Sequence, residues 1–182
     1  WKGTENKNRV YYRDEEKKDG FVHLLTDDDG QYTFIGNEGK TFYFTTNFNA
    51  PKEKIIAIDI EKPEKAHWSD VVAEQDDVIS FAKLMNHQFV VGFLHHAYDQ
   101  LKIYELDGTF HQEVKLPKYI SLTGLTGKKS ATEMLIGYTS YLAPTKIMKY
   151  DFASNELEMV LENTNLFPTE QFETTQVFYT SK

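Results

Sequence analysis

Four segments of this chain run through alternating apolar residues and close on an aspartate: Val10–Asp14 (VYYRD), Glu53–Asp59 (EKIIAID), Lys102–Asp107 (KIYELD) and Ile147–Asp151 (IMKYD). The closing residues, Asp14, Asp59, Asp107 and Asp151, stand 45, 48 and 44 positions apart. A period of about 40–50 residues built from short strands is the sequence signature of a β-propeller blade. The internal spacing agrees, because Phe42 to Asp59, Phe89 to Asp107 and Met134 to Asp151 measure 17, 18 and 17 residues. Few folds tolerate both regularities, so the pattern predicts an all-β chain: a β-propeller portion of about three and a half four-stranded antiparallel blades.

Taken in order, Asn8–Asp14 and Phe21–Leu25 read as two strands around the polar turn Lys17-Lys18-Asp19-Gly20, the closing half of a blade. The next unit reads as Gln31–Ile35, the turn Asn37-Glu38-Gly39, Thr41–Thr46, Glu53–Ile60 and His67–Val72, a meander of short hairpins. The third runs Val78–Lys83, Gln88–His95, Leu101–Leu106, the Asp107-Gly108 turn and Phe110–Leu116. The fourth runs Ile120–Leu125, Glu133–Tyr141, Lys146–Tyr150 and Leu157–Leu161. This divides the chain into a half blade at 1–29, blades at 30–75, 76–117 and 118–163, and a closing loop and strand at 164–182. In the last piece Thr174–Tyr179 alternates as one further strand after a loop centred on Pro168. Three and a half blades do not make a closed ring, and an unclosed stack exposes strand edges.

Phe, Tyr and Trp make up 14% of the residues, which favours strands over helices. A net charge of −8 with scattered acidic residues argues against a nucleic-acid footprint and against anchoring on anionic lipid. No apolar run approaches the roughly 20 residues of a membrane-spanning helix. The opening Trp1-Lys2-Gly3 does not resemble a signal peptide and reads as the interior of a longer protein. With no cysteine, disulfides, thiolate metal sites and thiol nucleophiles are excluded from these residues.

Catalytic patterns are missing. No serine, from Ser69 through Ser80, Ser121, Ser130, Ser140 and Ser154 to Ser181, lies in a Gly-x-Ser-x-Gly elbow. On a strand, His95 and His96 point to opposite faces and cannot share one ion. His23, His67, His87 and His111 lack ligand spacing. Asp27–Gly30 lacks the alternating ligands of a calcium loop, and Gly127-Lys128-Lys129-Ser130 lacks the upstream glycine of a phosphate loop. Both read as turns. Phe42, Phe44, Phe89 and Phe93 sit at strand spacing and read as core between blades. We expect no catalytic residue, no metal and no cofactor here.

Particular stretches resemble the prolyl oligopeptidase family. Tyr32–Asn47 (YTFIGNEGKTFYFTTN) is similar to the family stretch in which a Thr-Asn-Glu-Gly turn leads into an alternating Phe/Thr strand ending in Thr-Asn. Ile55–Val78 carries the same Asp-x-x-x-Pro-Glu turn and a Trp on the following strand. Gly137–Pro144 (GYTSYLAP) and Thr174–Lys182 (TTQVFYTSK) continue the likeness in one register from Asn8. The resemblance implies a serine peptidase that cleaves short peptides after proline, with an α/β-hydrolase domain beneath a seven-bladed propeller that limits access. It implies that the Ser, Asp and His of the triad lie past Lys182, so this stretch by itself is inactive. The family loop before the Asn8-Arg9 strand start faces the hydrolase domain and carries an Arg and a Cys near substrate. Those positions fall on Trp1 and Thr4, which makes these two the substrate-facing candidates.

Three readings stay open at this point. One is the propeller portion of a prolyl-oligopeptidase-type enzyme, with the hydrolase domain of the same polypeptide and short proline-containing peptides as partners. The second is a free-standing propeller that binds proteins, and the third a half-ring that dimerises through its exposed blade edges. The expected compartment is cytoplasmic, or periplasmic where a preceding segment carries a signal.

Overall fold

The computed structural model describes residues 6–17, 20–163 and 168–180. Among the described residues, fourteen strands follow one another as antiparallel meanders. β1 (Val10–Tyr12) and β2 (Val22–Leu25) form a two-stranded sheet. β3 (Tyr32–Glu38), β4 (Thr41–Thr46), β5 (Lys54–Asp59) and β6 (Ser69–Val72) form the first four-stranded blade. β7 (Val78–Met85), β8 (Gln88–His95), β9 (Tyr98–Tyr104) and β10 (Phe110–Glu113) form the second. β11 (Ile120–Thr126), β12 (Glu133–Ser140), β13 (Ala143–Asp151) and β14 (Leu157–Leu161) form the third.

The repeated aspartate has one structural explanation. Each ends the third strand of its unit or lies just beyond it, and each turns the chain with its own side chain. Asp14, Asp59, Asp107 and Asp151 accept, through Oδ1, the backbone N–H two residues on, from Glu16 (3.0 Å), Glu61 (2.9 Å), Thr109 (2.9 Å) and Ala153 (2.9 Å). This is the Asx turn, in which a short carboxylate replaces a backbone carbonyl. At two of them, hydrogen bonds from the backbone N–H of Thr109 and of Ser154 hold Asp107 and Asp151 below the ordinary carboxylate range.

Between each pair of neighbouring sheets lies a separate apolar core. Leu25, Tyr32, Phe44, Ile56 and Ile58 fill the first. Tyr43, Ile55, Ile79, Phe89, Val91 and Phe93 belong to the second. Val90, Leu101, Ile103, Leu125, Met134 and Ile136 belong to the third. A blade sandwiched between two others buries both faces, and β8 shows the consequence. Phe89, Val91 and Phe93 enter one core while Val90 enters the next, so its sequence runs apolar without a break. The outermost strand β14 has one face and an edge in solvent, and four of its five residues are exposed. Of the expected core aromatics, Phe44, Phe89 and Phe93 are fully buried and Phe42 packs partly buried against the first core.

Three expectations need correction. The fourth strand of the first blade starts at Ser69 rather than His67, because Lys65–His67 winds into a 3-10 turn. That turn is closed by His67 N–H to Glu64 O (2.8 Å) and by Trp68 Nε1–H to Pro63 O (2.9 Å). His96 is not on a strand. It occupies the two-residue turn between β8 and β9 with Ala97, both in left-handed backbone (φ 45° and 70°), and its ring packs 4.2 Å from that of His95. The argument from opposite strand faces therefore does not apply to that pair. Finally, Thr174–Tyr179 joins no ladder. It crosses the turns of the last two blades instead, held by side-chain contacts.

Candidate functional site

Antiparallel meanders send their connections alternately to two ends of the sheets, so the propeller has two loop faces. One collects the β3–β4, β7–β8 and β11–β12 hairpins. There Glu38 accepts from His87 Nδ1 (2.8 Å) and pairs with Lys129 Nζ (3.0 Å), while Lys129 donates to Asn37 O (2.8 Å). Three blades are thus tied together by side chains, and these two partners hold Glu38 below the ordinary carboxylate range, His87 foremost.

The other face collects the turns β4–β5, β8–β9 and β12–β13 together with the connections from blade to blade. It is the better candidate, because concave space and chemically varied side chains occur together there. A cavity of about 780 Å³ is bordered by Lys52, Glu74, Asp76, Asp77 and Lys102. Asp77 also receives the His95 ring at 2.9 Å, so the β6–β7 connection is fastened to the end of β8. A second cavity of about 460 Å³ lies between His96, Tyr98, Tyr119, Tyr141 and the segment Glu173–Gln176. Tyr98 and Tyr119 meet edge to face with centroids 5.5 Å apart. Gln176 Nε2 donates to His96 O, and the Phe178 ring stands 5.0 Å from the His96 ring.

A third pocket, between the end of β2 and the β5–β6 connection, is knit by charge. Asp29 accepts from Tyr32 OH through Oδ1 (2.7 Å), and its Oδ2 faces the Lys65 ammonium. Lys65 also pairs with Asp27 at 2.6 Å. Burial pushes Asp29 upward, but the bonds from Lys65 and Tyr32 outweigh it and hold the carboxyl below its ordinary value. Burial first, and Asp29 second, push the Tyr32 phenol up, so it remains a donor. A depressed carboxylate stabilises the fold above its unfolded pKa and withdraws that support as pH falls through the folded value. The urea midpoint is accordingly expected to fall as pH drops from about 5 to about 2. Lys65→Met should shrink that fall; an unchanged pH dependence would show that the pair does not hold Asp29.

Trp1 and Thr4, the two positions assigned by family resemblance, lie outside the described residues. Among the described residues no group of three or more His, Asp or Glu is placed to hold a metal. The histidines have other partners, such as Glu64 for His67 and Glu105 for His111 (2.9 Å). Ser121 and His96 border the same cavity without a hydrogen bond between them. Among the described residues these cavities bring together no paired nucleophile and base. Sequence reasoning missed Tyr98, Tyr119 and Tyr141. Their one signal is position: aromatic residues at turns and strand starts, where small or polar residues are usual.

Comparison with known proteins gives a consistent result. The family model described as "Prolyl oligopeptidase, N-terminal beta-propeller domain" matches residues 1–163. The prolyl endopeptidase of Elizabethkingia meningoseptica is 28% identical over 176 residues, covering 97% of this chain and 25% of the relative. The dual function macrocyclase-peptidase POPB of Galerina marginata is 26% identical over 193 residues, covering 100% of this chain and 26% of the relative. Among solved structures, the apo form of prolyl oligopeptidase B from Galerina marginata superposes with a TM-score of 0.87 at 22% identity, over 98% of this chain and 26% of that one. A prolyl endopeptidase structure from work on inter-domain dynamics does so with 0.87 at 23%, over 96% and 26%. These structural likenesses establish the fold. The chain spans about a quarter of the length of the curated relatives it matches.

Proposed function

Because this chain belongs to the prolyl oligopeptidase N-terminal β-propeller family, we propose that it works as the non-catalytic gate of a serine peptidase that cleaves short peptides after proline. The observation that carries the reading is the family match along residues 1–163, joined to a loop face that offers cavities and no nucleophile–base pair among the described residues. In the whole protein that face stands over a hydrolase domain of the same polypeptide, and the propeller excludes folded proteins by size while shielding the chemistry from bulk water. The tail supports this placement, since it lies across the same face and so leads the chain toward the region that domain would occupy. Exposed apolar side chains on the outer surfaces of the terminal sheets, Tyr11 and Phe21 at one end and Leu135 at the other, then pack against further blades.

The test is release of a chromophore from a proline-linked short peptide. The polypeptide that carries this chain should release it, and the 182-residue chain alone should not. Absence of cleavage after proline by the whole polypeptide would overturn the reading.

A further inference from the structure

We propose that the cavity between His96, Tyr98, Tyr119, Tyr141 and the Glu173–Gln176 strap is a docking subsite for a proline-rich stretch of peptide. The proposal rests on the reading that the whole protein acts on prolyl peptides, and it adds a place where residues remote from the cut bond are held. Four observations point to this ligand chemistry.

The first is size and shape. A volume of about 460 Å³ falls in the range of sites that hold small ligands or a few residues of peptide. Second, its aromatic side chains are tyrosines on three separate segments: β9, the β10–β11 connection and the β12–β13 turn. Flat aromatic walls suit prolyl rings, and a polyproline II segment loses little entropy on docking because it is already extended.

Third, the hydrogen-bonding inventory is complementary. A proline-rich segment presents carbonyl acceptors and few N–H donors. Among the described residues no protein group engages the hydroxyls of Tyr98, Tyr119 and Tyr141, which leaves three donors at the cavity. Among the described residues no lysine or arginine borders it and Glu173 is its one carboxylate, so an anionic ligand is disfavoured.

Fourth, the backbone is held in an unfavourable form where the cavity needs it. Tyr119 lies in left-handed backbone (φ 59°), as do His96 and Ala97. A bulky aromatic residue is a genuine outlier there, and such outliers gather at ligand clamps. The conformation places the Tyr119 ring edge to face with Tyr98. The wall opposite is the strap, pinned by Gln176 to His96 O and by Phe178 to the His96 ring, so a docked peptide and the strap stabilise each other.

Calorimetric titration of hexaproline into the polypeptide that carries this chain tests the proposal. The native polypeptide should bind it saturably, and hexaglycine should not bind. Tyr119→Asn is the informative variant, because asparagine tolerates left-handed backbone and the fold is retained while the ring is removed. It should weaken hexaproline binding at least about tenfold with an unchanged circular dichroism spectrum, whereas Tyr11→Ala at the far end of the molecule should not alter it. Should Tyr119→Asn perturb the spectrum, Tyr98→Ala provides the same reading. Absence of saturable binding by the native polypeptide, equal binding of hexaglycine, or undiminished binding by a folded Tyr119→Asn or Tyr98→Ala variant overturns the subsite. Cleavage of a proline-linked dipeptide by the whole polypeptide is scored separately. Cleavage without hexaproline binding removes the subsite alone, and hexaproline binding without cleavage removes the enzyme reading and retains the subsite.

Discussion

Replacing Phe93 with alanine should lower the free energy of unfolding by about 3–5 kcal/mol, the usual range for truncating a fully buried aromatic ring. Phe93 has 0% exposure at the centre of the core between the first and second blades. Its ring lies 6.4 Å from that of Tyr104 and beneath the Lys102 ammonium at 4.6 Å, so the substitution removes packing and a cation–π contact together. The surrounding strands are held by their ladders, with Phe93 itself opposite Ile79 and Gln100, and they cannot collapse into the void. Against a typical total of about 5–15 kcal/mol, such a loss removes much of the stability. Leu161→Ala is the matched control: at 47% exposure on β14 it should shift stability by less than about 0.5 kcal/mol. Urea unfolding followed by tryptophan fluorescence reads both. A loss below about 1 kcal/mol at Phe93 would mean that the inter-blade core is not packed as described.

The second large effect is expected at Gly108, in the turn between β9 and β10. Its φ is 86°, and a Cβ there would stand 1.8 Å from the carbonyl oxygen of Val71 on β6. The obstacle is backbone of the neighbouring blade, which has no rotamer to change. Left-handed strain of about 1–2 kcal/mol and overpacking of about 1–3 kcal/mol together put Gly108→Ala at roughly 2–5 kcal/mol. Gly39 isolates the contact. Its φ is 55° in the β3–β4 turn, with nothing within 4 Å of an added Cβ, so Gly39→Ala should cost only about 1–2 kcal/mol. Equal losses at the two glycines would show that β10 does not lean on the preceding blade.

These contrasts also explain what could be read along the chain. The Asp period was legible because each aspartate acts locally, on an N–H two residues away. Strand positions were legible because inter-blade burial forces apolar residues at Phe44, Phe89 and Phe93. His67 failed because a Pro-Glu turn wound into 3-10 geometry before β6, and His96 failed because an apolar run gives no sign that its last residue leaves the strand. Thr174–Tyr179 alternates as a strand does, yet alternation supplies no partner. Val177 and Tyr179 remain 77% and 89% exposed while Gln176 and Phe178 hold the segment to His96. The aromatic cavity depends on Tyr98, Tyr119 and Tyr141 meeting in space, and on φ at Tyr119, neither of which has a local sequence signature.

Gating by the propeller would show itself as size selectivity. The whole polypeptide should be assayed on a proline-containing peptide of about ten residues and on a folded protein bearing the same sequence in an exposed loop. Gating predicts cleavage of the peptide after proline and an intact folded protein. Comparable rates on the two substrates would contradict it.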